Sequence, residues 1–133
     1  MKKIILLLIN CVIILGCSSD DENHSSELTQ KLIGTWKVVG YYDDVEDNYP
    51  LIEDGPIVKF KRDGSFEQVN NSSEIYNGHF SVSKDSVLTK KYTTYAFGEE
   101  YTFVNKIFII NDSILGTGPE HMWAMTLYEK IND

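Results

Sequence analysis

Apolar and polar residues alternate along most of the chain after residue 33, which is the pattern of β-strands with one dry and one wet face. In the run 76–83, Tyr76, Phe80 and Val82 fall on one face and His79 on the other. Runs rich in Val, Ile, Thr, Tyr and Phe, separated by turn residues, predict eight strands: Thr35–Tyr42, Ile57–Lys61, Ser65–Val69, Tyr76–Ser83, Val87–Tyr95, Tyr101–Ile110, Ile114–Gly116 and Met122–Lys130. With no long helix to cover the dry faces, the sheet must fold onto itself as a barrel or sandwich.

The first and last strands show which of their side chains share a dry face. Alternation places Trp36, Val38 and Tyr42 together in the first strand, and Trp123 and Met125 together in the last. These side chains are therefore expected inside the barrel.

The hairpin FKRDGSF tests this interpretation locally. A two-residue loop would place Phe60 opposite Glu67, which is a poor match. A three-residue loop ending at Gly64 pairs Phe60 with Phe66 and Lys59 with Glu67, so aromatic meets aromatic and base meets acid. The sequence predicts this second register, with a type I turn, a bulge and a left-handed Gly64.

The first sixteen residues have the composition of a secretory signal. Lys2 and Lys3 precede the apolar run 4–15, and the small Gly16 stands before Cys17. The run is shorter than the roughly 18–20 apolar residues that span a bilayer. The alternative is an ordinary signal peptide followed by an incidental cysteine.

Residues 14–17, ILGC, resemble the lipobox of bacterial lipoproteins. The resemblance implies cleavage before Cys17 and lipidation of its thiol, which would anchor the protein in a membrane. Cys11 would leave with the signal peptide, so the mature chain could form no internal disulfide. More than one acyl chain makes such an anchor stable.

The residues after Cys17 read SSDDENHSSE and predict a disordered acidic tether over 18–27. An acidic run at this place resembles a surface-export tag of a Gram-negative phylum, which implies an outer-membrane lipoprotein exposed at the cell surface. A plain solvated spacer is the alternative. The predicted organisation is a signal peptide at 1–16, the lipidated cysteine and tether at 17–27, and one domain at 28–133.

The net charge of the chain limits the classes of partner that it can bind. The 133 residues include 20 acids and 12 bases, and loss of Lys2 and Lys3 leaves 20 acids and 10 bases, net −10. This charge opposes nucleic-acid binding, which requires a basic face. The acidic segment 43–54 is either a solvated loop, a lip that repels anions, or a patch for a basic partner.

A short helical turn predicted at 26–33, followed by LIGTW and the order of the later strands, resembles lipocalin-like domains of bacterial surface lipoproteins. The resemblance covers Leu28 to Ile131. It implies an all-β, eight-stranded antiparallel up-and-down barrel. It also implies that Trp36 closes the barrel floor, where Gly34 opens the motif and Lys130 covers the ring by a cation–π contact.

The resemblance further implies a binding protein for a small hydrophobic ligand. The candidates to line the interior are Tyr42, Phe60, Phe66, Tyr76, Phe80, Trp123 and Met125. The same side chains could instead fill the barrel, because eight strands enclose either packed side chains or one small ligand. The protein would then be an interaction module, an accessory subunit or adhesin in an envelope complex. We expect a monomer in either case.

No catalytic constellation is evident. His24, His79 and His121 are not spaced as metal ligands, and there is no Gly-x-Ser-x-Gly elbow or phosphate-binding glycine loop. The sequence therefore predicts no enzyme, no cofactor and no metal, and a barrel enzyme is the third alternative. Ser86 and Ser113 stand in Asp-Ser-apolar triplets that resemble O-glycosylation sites, although Asp and Ser also favour turns for local reasons.

Overall fold

The computed structural model describes residues 20–43, 51–93, 98–120 and 124–131. It contains one helix and eight strands: α1 (Asp20–Leu32), β1 (Gly34–Asp43), β2 (Ile57–Phe60), β3 (Ser65–Val69), β4 (Ile75–Val82), β5 (Val87–Thr93), β6 (Glu100–Ile110), β7 (Ile114–Gly118) and β8 (Ala124–Ile131). Each strand pairs antiparallel with the next, and β8 returns to β1. The predicted all-β, eight-stranded up-and-down barrel is confirmed.

The β2–β3 hairpin adopts the predicted register. Phe60 lies opposite Phe66, and Lys59 lies opposite Glu67. Gly64 has φ +81°, the left-handed conformation that a three-residue loop with a bulge requires. Matching aromatic and charged pairs across the two strands thus selected the correct loop length.

The helix is longer than the sequence suggested. It begins at Asp20 rather than Ser26, so residues 20–27, which the sequence assigned to a tether, form part of the helix. Glu27 forms an i,i+4 ion pair with Lys31 at 2.8 Å, which supports the last turns of the helix. Among the described residues, no helix has the length and apolar character needed to cross a membrane.

The helix closes one end of the barrel. Leu28 and Leu32 of α1 are buried against Trp36, whose indole Nε1 donates a hydrogen bond to the Leu32 carbonyl at 2.7 Å. The connections β2–β3, β4–β5 and β6–β7 lie at this closed end, and the β3–β4 connection lies at the opposite, open end. The buried core consists of Leu28, Leu32, Trp36, Val58, Phe60, Phe66, Phe80, Val82, Leu88, Ile107 and Leu115. Every described element of the barrel and its core therefore lies between residues 20 and 131.

A bulge in β1 changes which side chains point inward. Val38 pairs with Tyr128, but the register then shifts by one residue before Gly40. Tyr128 packs against the core, so alternation along β8 turns Met125 to the outer face. Tyr42 lies opposite Met125 and shares that face. The extra residue in β1 accounts for the outward position of Tyr42, and alternation from Tyr128 accounts for that of Met125, whereas the sequence had placed both inside the barrel.

Candidate functional site

The open half of the barrel contains a cavity of about 230 Å³. We call its lining the cup, and its members come from β3 to β6 and the β3–β4 connection: Gln68, Asn70, Tyr76, Lys90, Tyr92 and Phe103. Ligand sites usually have volumes of about 300–1,000 Å³, so the cup suits a compact molecule.

Strand pairing places Lys90 inside the barrel. Lys90 lies opposite Phe80 on β4 and Phe103 on β6, and Phe80 belongs to the core. Leu88 and Tyr92, two residues to either side on β5, share this inward face, because side chains alternate along a strand. A lysine therefore occupies a position where an apolar residue would be expected.

The Lys90 amine has few polar neighbours among the described residues. Its Nζ donates a hydrogen bond to Gln68 Oε1 at 3.2 Å, and Gln68 Nε2 donates to Asn70 Oδ1 at 3.0 Å. The same Nζ lies 5.6 Å from the ring centroid of Phe66. Among the described residues, no acidic side chain forms an ion pair with Lys90. Burial lowers the pKa of Lys90 from 10.5 to about 8, because desolvation disfavours the charged amine.

Aromatic rings form the wall of the cup. Tyr92 stacks on Phe103 at 5.6 Å and on Tyr101 at 5.9 Å, and it meets the edge of Tyr76 at 5.1 Å. Burial raises the pKa of Tyr92. The Tyr76 hydroxyl donates a hydrogen bond to Glu74 at 2.7 Å, which raises the pKa of Tyr76. Both phenols are therefore neutral donors at physiological pH.

The architecture matches a solved structure, the crystal structure of a lipocalin-like protein from Bacteroides uniformis ATCC 8492. The two align with a TM-score of 0.59 and 16% sequence identity, over 76% of this chain and 99% of that one. This is a lipocalin-like fold. No protein-family model matches the sequence, and no curated protein shows significant similarity to it.

Within the lipocalin-like barrel, the predicted lining residues divide between packed core and cup. Phe60 and Phe80 pack edge to face at 4.9 Å in the core, and Phe66 lies 6.3 Å from Phe60. Tyr76 lines the cup. Trp123 lies outside the described residues.

Tyr42 and Met125 lie opposite each other and share the outer face of the barrel. The Met125 sulfur lies close over Gly116 of β7, where an added Cβ would approach it to 2.8 Å. Gly116 lies opposite Ile109 of β6, and Tyr42 flanks Met125 on β1. Met125 thus belongs to an outer apolar contact.

At the closed end, Lys130 Nζ lies 5.0 Å from the ring centroid of Trp36. Gly34 has φ +131°, and a Cβ at this position would fall 2.7 Å from Lys130 Cε. Glycine therefore permits both the backbone turn into β1 and the approach of the lysine.

The remaining predicted sites are not part of the cup. Cys17 and residues 44–50 lie outside the described residues, and Glu53 and Asp54 are exposed. Ser86 is partly exposed in the β4–β5 turn, and Ser113 is exposed in the β6–β7 turn.

A larger concavity of about 510 Å³ lies on the outer face of β3–β5 and includes Lys61, His79, Lys91 and Glu100. Its charged groups have both signs and face solvent, as on an ordinary solvated surface. Nowhere in the described part of the chain do three His, Cys, Asp or Glu side chains gather as metal ligands. The cup is therefore the stronger candidate.

Five cup residues were not identified from the sequence: Gln68, Asn70, Lys90, Tyr92 and Phe103. A usable signal was present in LTKKY, because alternation between the apolar Leu88 and Tyr92 places Lys90 on the dry face. A charged residue on a dry face is therefore the sequence feature that indicates this site.

Proposed function

We propose that this protein is a non-catalytic binding lipoprotein whose lipocalin-like barrel holds a small, largely apolar molecule in the cup. The observation that carries the proposal is the cavity of about 230 Å³ above a packed core. Aromatic walls with a few convergent polar groups are typical of small-molecule sites.

Uptake of the hydrophobic dye N-phenyl-1-naphthylamine tests this function. A chain from Ser18 onward contains every described element and is suitable for the measurement. We expect dye fluorescence to rise on binding, and Phe103→Ala to weaken binding several-fold by removing one wall of the cup. The matched control is Val104→Ala, because Val104 is 59% exposed on the outer face of the same strand. Absence of uptake, or equal weakening by both variants, would contradict the proposal.

The proposal includes a lipid anchor on Cys17 that holds the barrel at the outer membrane, on the cell surface. The signal-like sequence before Cys17 and the acidic run after it support this location. In cells, Cys17→Ala should abolish incorporation of labelled fatty acid. Protease treatment of intact cells should remove the wild-type domain, whereas resistance would exclude surface exposure.

A second candidate is an interaction module in an envelope complex. Ile57, Val69 and Ile75 lie opposite one another on β2–β4 and face outward, because Val58 is in the core. Ile57 and Ile75 are exposed, which favours a protein contact at this row. Failure of dye uptake together with loss of a co-purifying partner in Ile75→Ser would favour this candidate over ligand binding.

A further inference from the structure

The Lys90 amine has hydrogen-bonding capacity that the described residues do not use. An ammonium group has three donors, and Gln68 accepts one of them at 3.2 Å. The Phe66 ring lies on another side at 5.6 Å and attracts the charge without accepting a conventional hydrogen bond. A ligand in the cup would therefore meet a partly buried cation with donors to spare.

The charges around the cup favour a ligand with one negative charge. Lys90 is the cation among the lining residues. At the rim, the Glu74 carboxylate accepts the Tyr76 hydroxyl and would repel a second negative charge. A carboxylate also replaces the solvation that the amine lost by burial, because charge-assisted hydrogen bonds are the strong ones.

The aromatic walls of the cup indicate the shape and apolar character of the rest of the ligand. Tyr76, Tyr92 and Phe103 present ring faces and edges to the cavity, and its volume of about 230 Å³ excludes long chains in a folded pose. We propose that the cup binds compact, flat monocarboxylates, with the carboxylate on Lys90 Nζ and the apolar body against the aromatic wall. This inference rests on the proposed binding function and adds the class of ligand.

The ionisation of the cup supports this assignment. Burial lowers the pKa of Lys90 to about 8, so the free amine is mostly charged at pH 7 and mostly neutral above pH 9. The titratable groups that face it from β4 to β6 are Tyr76, Tyr92 and Tyr101, with Glu74 at the rim. The pKa values of Tyr76 and Tyr92 are raised, so Lys90 is the cup residue expected to change charge between pH 7 and 9.

Calorimetric titration with 2-naphthoate and 2-naphthamide tests the inference, because the two probes share a shape and differ in charge. At pH 7 we expect the chain from Ser18 onward to bind naphthoate about tenfold more tightly than naphthamide. Lys90→Met should remove this preference, so that the two probes bind with similar affinity. The matched control Lys91→Met, on the adjacent outward residue, should retain the preference.

The pH dependence of the wild-type chain tests the same point without a variant. Naphthoate affinity should fall about tenfold in all as the pH rises above 8, toward the affinity of naphthamide, which should stay constant. Equal binding of both probes at pH 7 would overturn the carboxylate assignment and leave the binding function intact. Binding of neither naphthamide nor N-phenyl-1-naphthylamine would overturn the function itself. Loss of the preference in Lys91→Met would place the anion outside the barrel and refute the role of Lys90.

Discussion

The two ends of the barrel each hold a lysine near an aromatic ring, in different surroundings. At the closed end, Lys130 Nζ lies 5.0 Å from the Trp36 ring, and Trp36 is completely buried. At the open end, Lys90 Nζ lies 5.6 Å from the Phe66 ring, beside a cavity. The first lysine covers a filled core, and the second stands within a space that is not filled.

This difference separates a structural contact from a candidate site. Lys130 approaches Trp36 from the end of β8, where Gly34 leaves room for the lysine side chain. Lys90 takes a core-facing position in mid-strand, and burial lowers its pKa to about 8. A buried amine reduces stability, and an apolar residue at this position would pack better. Retention of such a group is typical of functional sites, where stability is exchanged for activity.

The largest expected effect is at the closed end. Trp36→Ala should lower the free energy of unfolding by about 3–5 kcal/mol, because it removes a buried aromatic ring from the core. Phe103→Ala at the open end should lower it by less than about 1.5 kcal/mol, because Phe103 is 45% exposed. Urea unfolding followed by circular dichroism measures both. Similar losses would mean that the cup is as tightly packed as the floor.

The architecture was predictable because short-range patterns repeat along the whole domain. Alternation and turn residues located all eight strands, and complementary pairs set the Phe60–Phe66 register. Alternation counted from one end failed across the β1 bulge, which inverted the side of Tyr42. The position of a single extra residue cannot be recognised from alternation in a run as apolar as WKVVGYY.

The cup was harder to predict because it depends on which dry-face residues remain uncovered. Phe60, Phe80 and Tyr76 have the same pattern in sequence, yet the first two fill the core and Tyr76 lines the cavity. The position of each side chain along the barrel axis decides whether it fills the core or lines the cavity. That position follows from the register of all the strands together. Lys90 was visible as a misplaced charge, but its neighbours Gln68 and Phe103 come from other strands.

The effect expected at Lys90 has the opposite sign to that at Trp36, because the substitution should stabilise the protein. Lys90→Met should raise the free energy of unfolding at pH 7 by about 1–3 kcal/mol, because a pKa lowered from 10.5 to about 8 measures the penalty of the buried charge. Lys91→Met is the control and should change stability by less than about 0.5 kcal/mol, since Lys91 is exposed. A loss of stability in Lys90→Met would show that Lys90 is a structural residue like Lys130.

The pH dependence of this gain has a defined direction. The folded chain releases the Lys90 proton near pH 8, and the unfolded chain holds it to about pH 10.4. Between these values the unfolded state binds more protons, so the wild-type chain regains stability as the pH rises. The advantage of Lys90→Met should therefore be complete below pH 8 and shrink toward pH 10.4. A constant difference between the two chains over this range would contradict the lowered pKa.

An effect of similar size, but destabilising, is expected at Gly34. Gly34→Ala should lower the free energy of unfolding by about 1–3 kcal/mol, because φ +131° is unfavourable for alanine and the new Cβ would press on Lys130 Cε. Gly98→Ala is the matched control for backbone strain alone, since Gly98 has φ +65° and its Cβ would meet nothing within 4 Å. If Gly98→Ala were the more destabilising of the two, the close approach of Lys130 to Gly34 would not contribute to the loss of stability in Gly34→Ala.

The smallest effect is at Lys130, and its sign decides whether the two ends really differ. Lys130→Met keeps the length of the side chain but removes the charge that lies over the Trp36 ring. It should lower the free energy of unfolding by about 0.5–1 kcal/mol, the usual size of a partly exposed cation–π contact. Urea unfolding at pH 7, alongside Lys90→Met and Lys91→Met, measures the difference. The same substitution should therefore destabilise the closed end, stabilise the open end and leave the outer face unchanged. If Lys130→Met were stabilising as well, both lysines would be unfavourable buried charges, and the cup would lose the feature that distinguishes it from the floor.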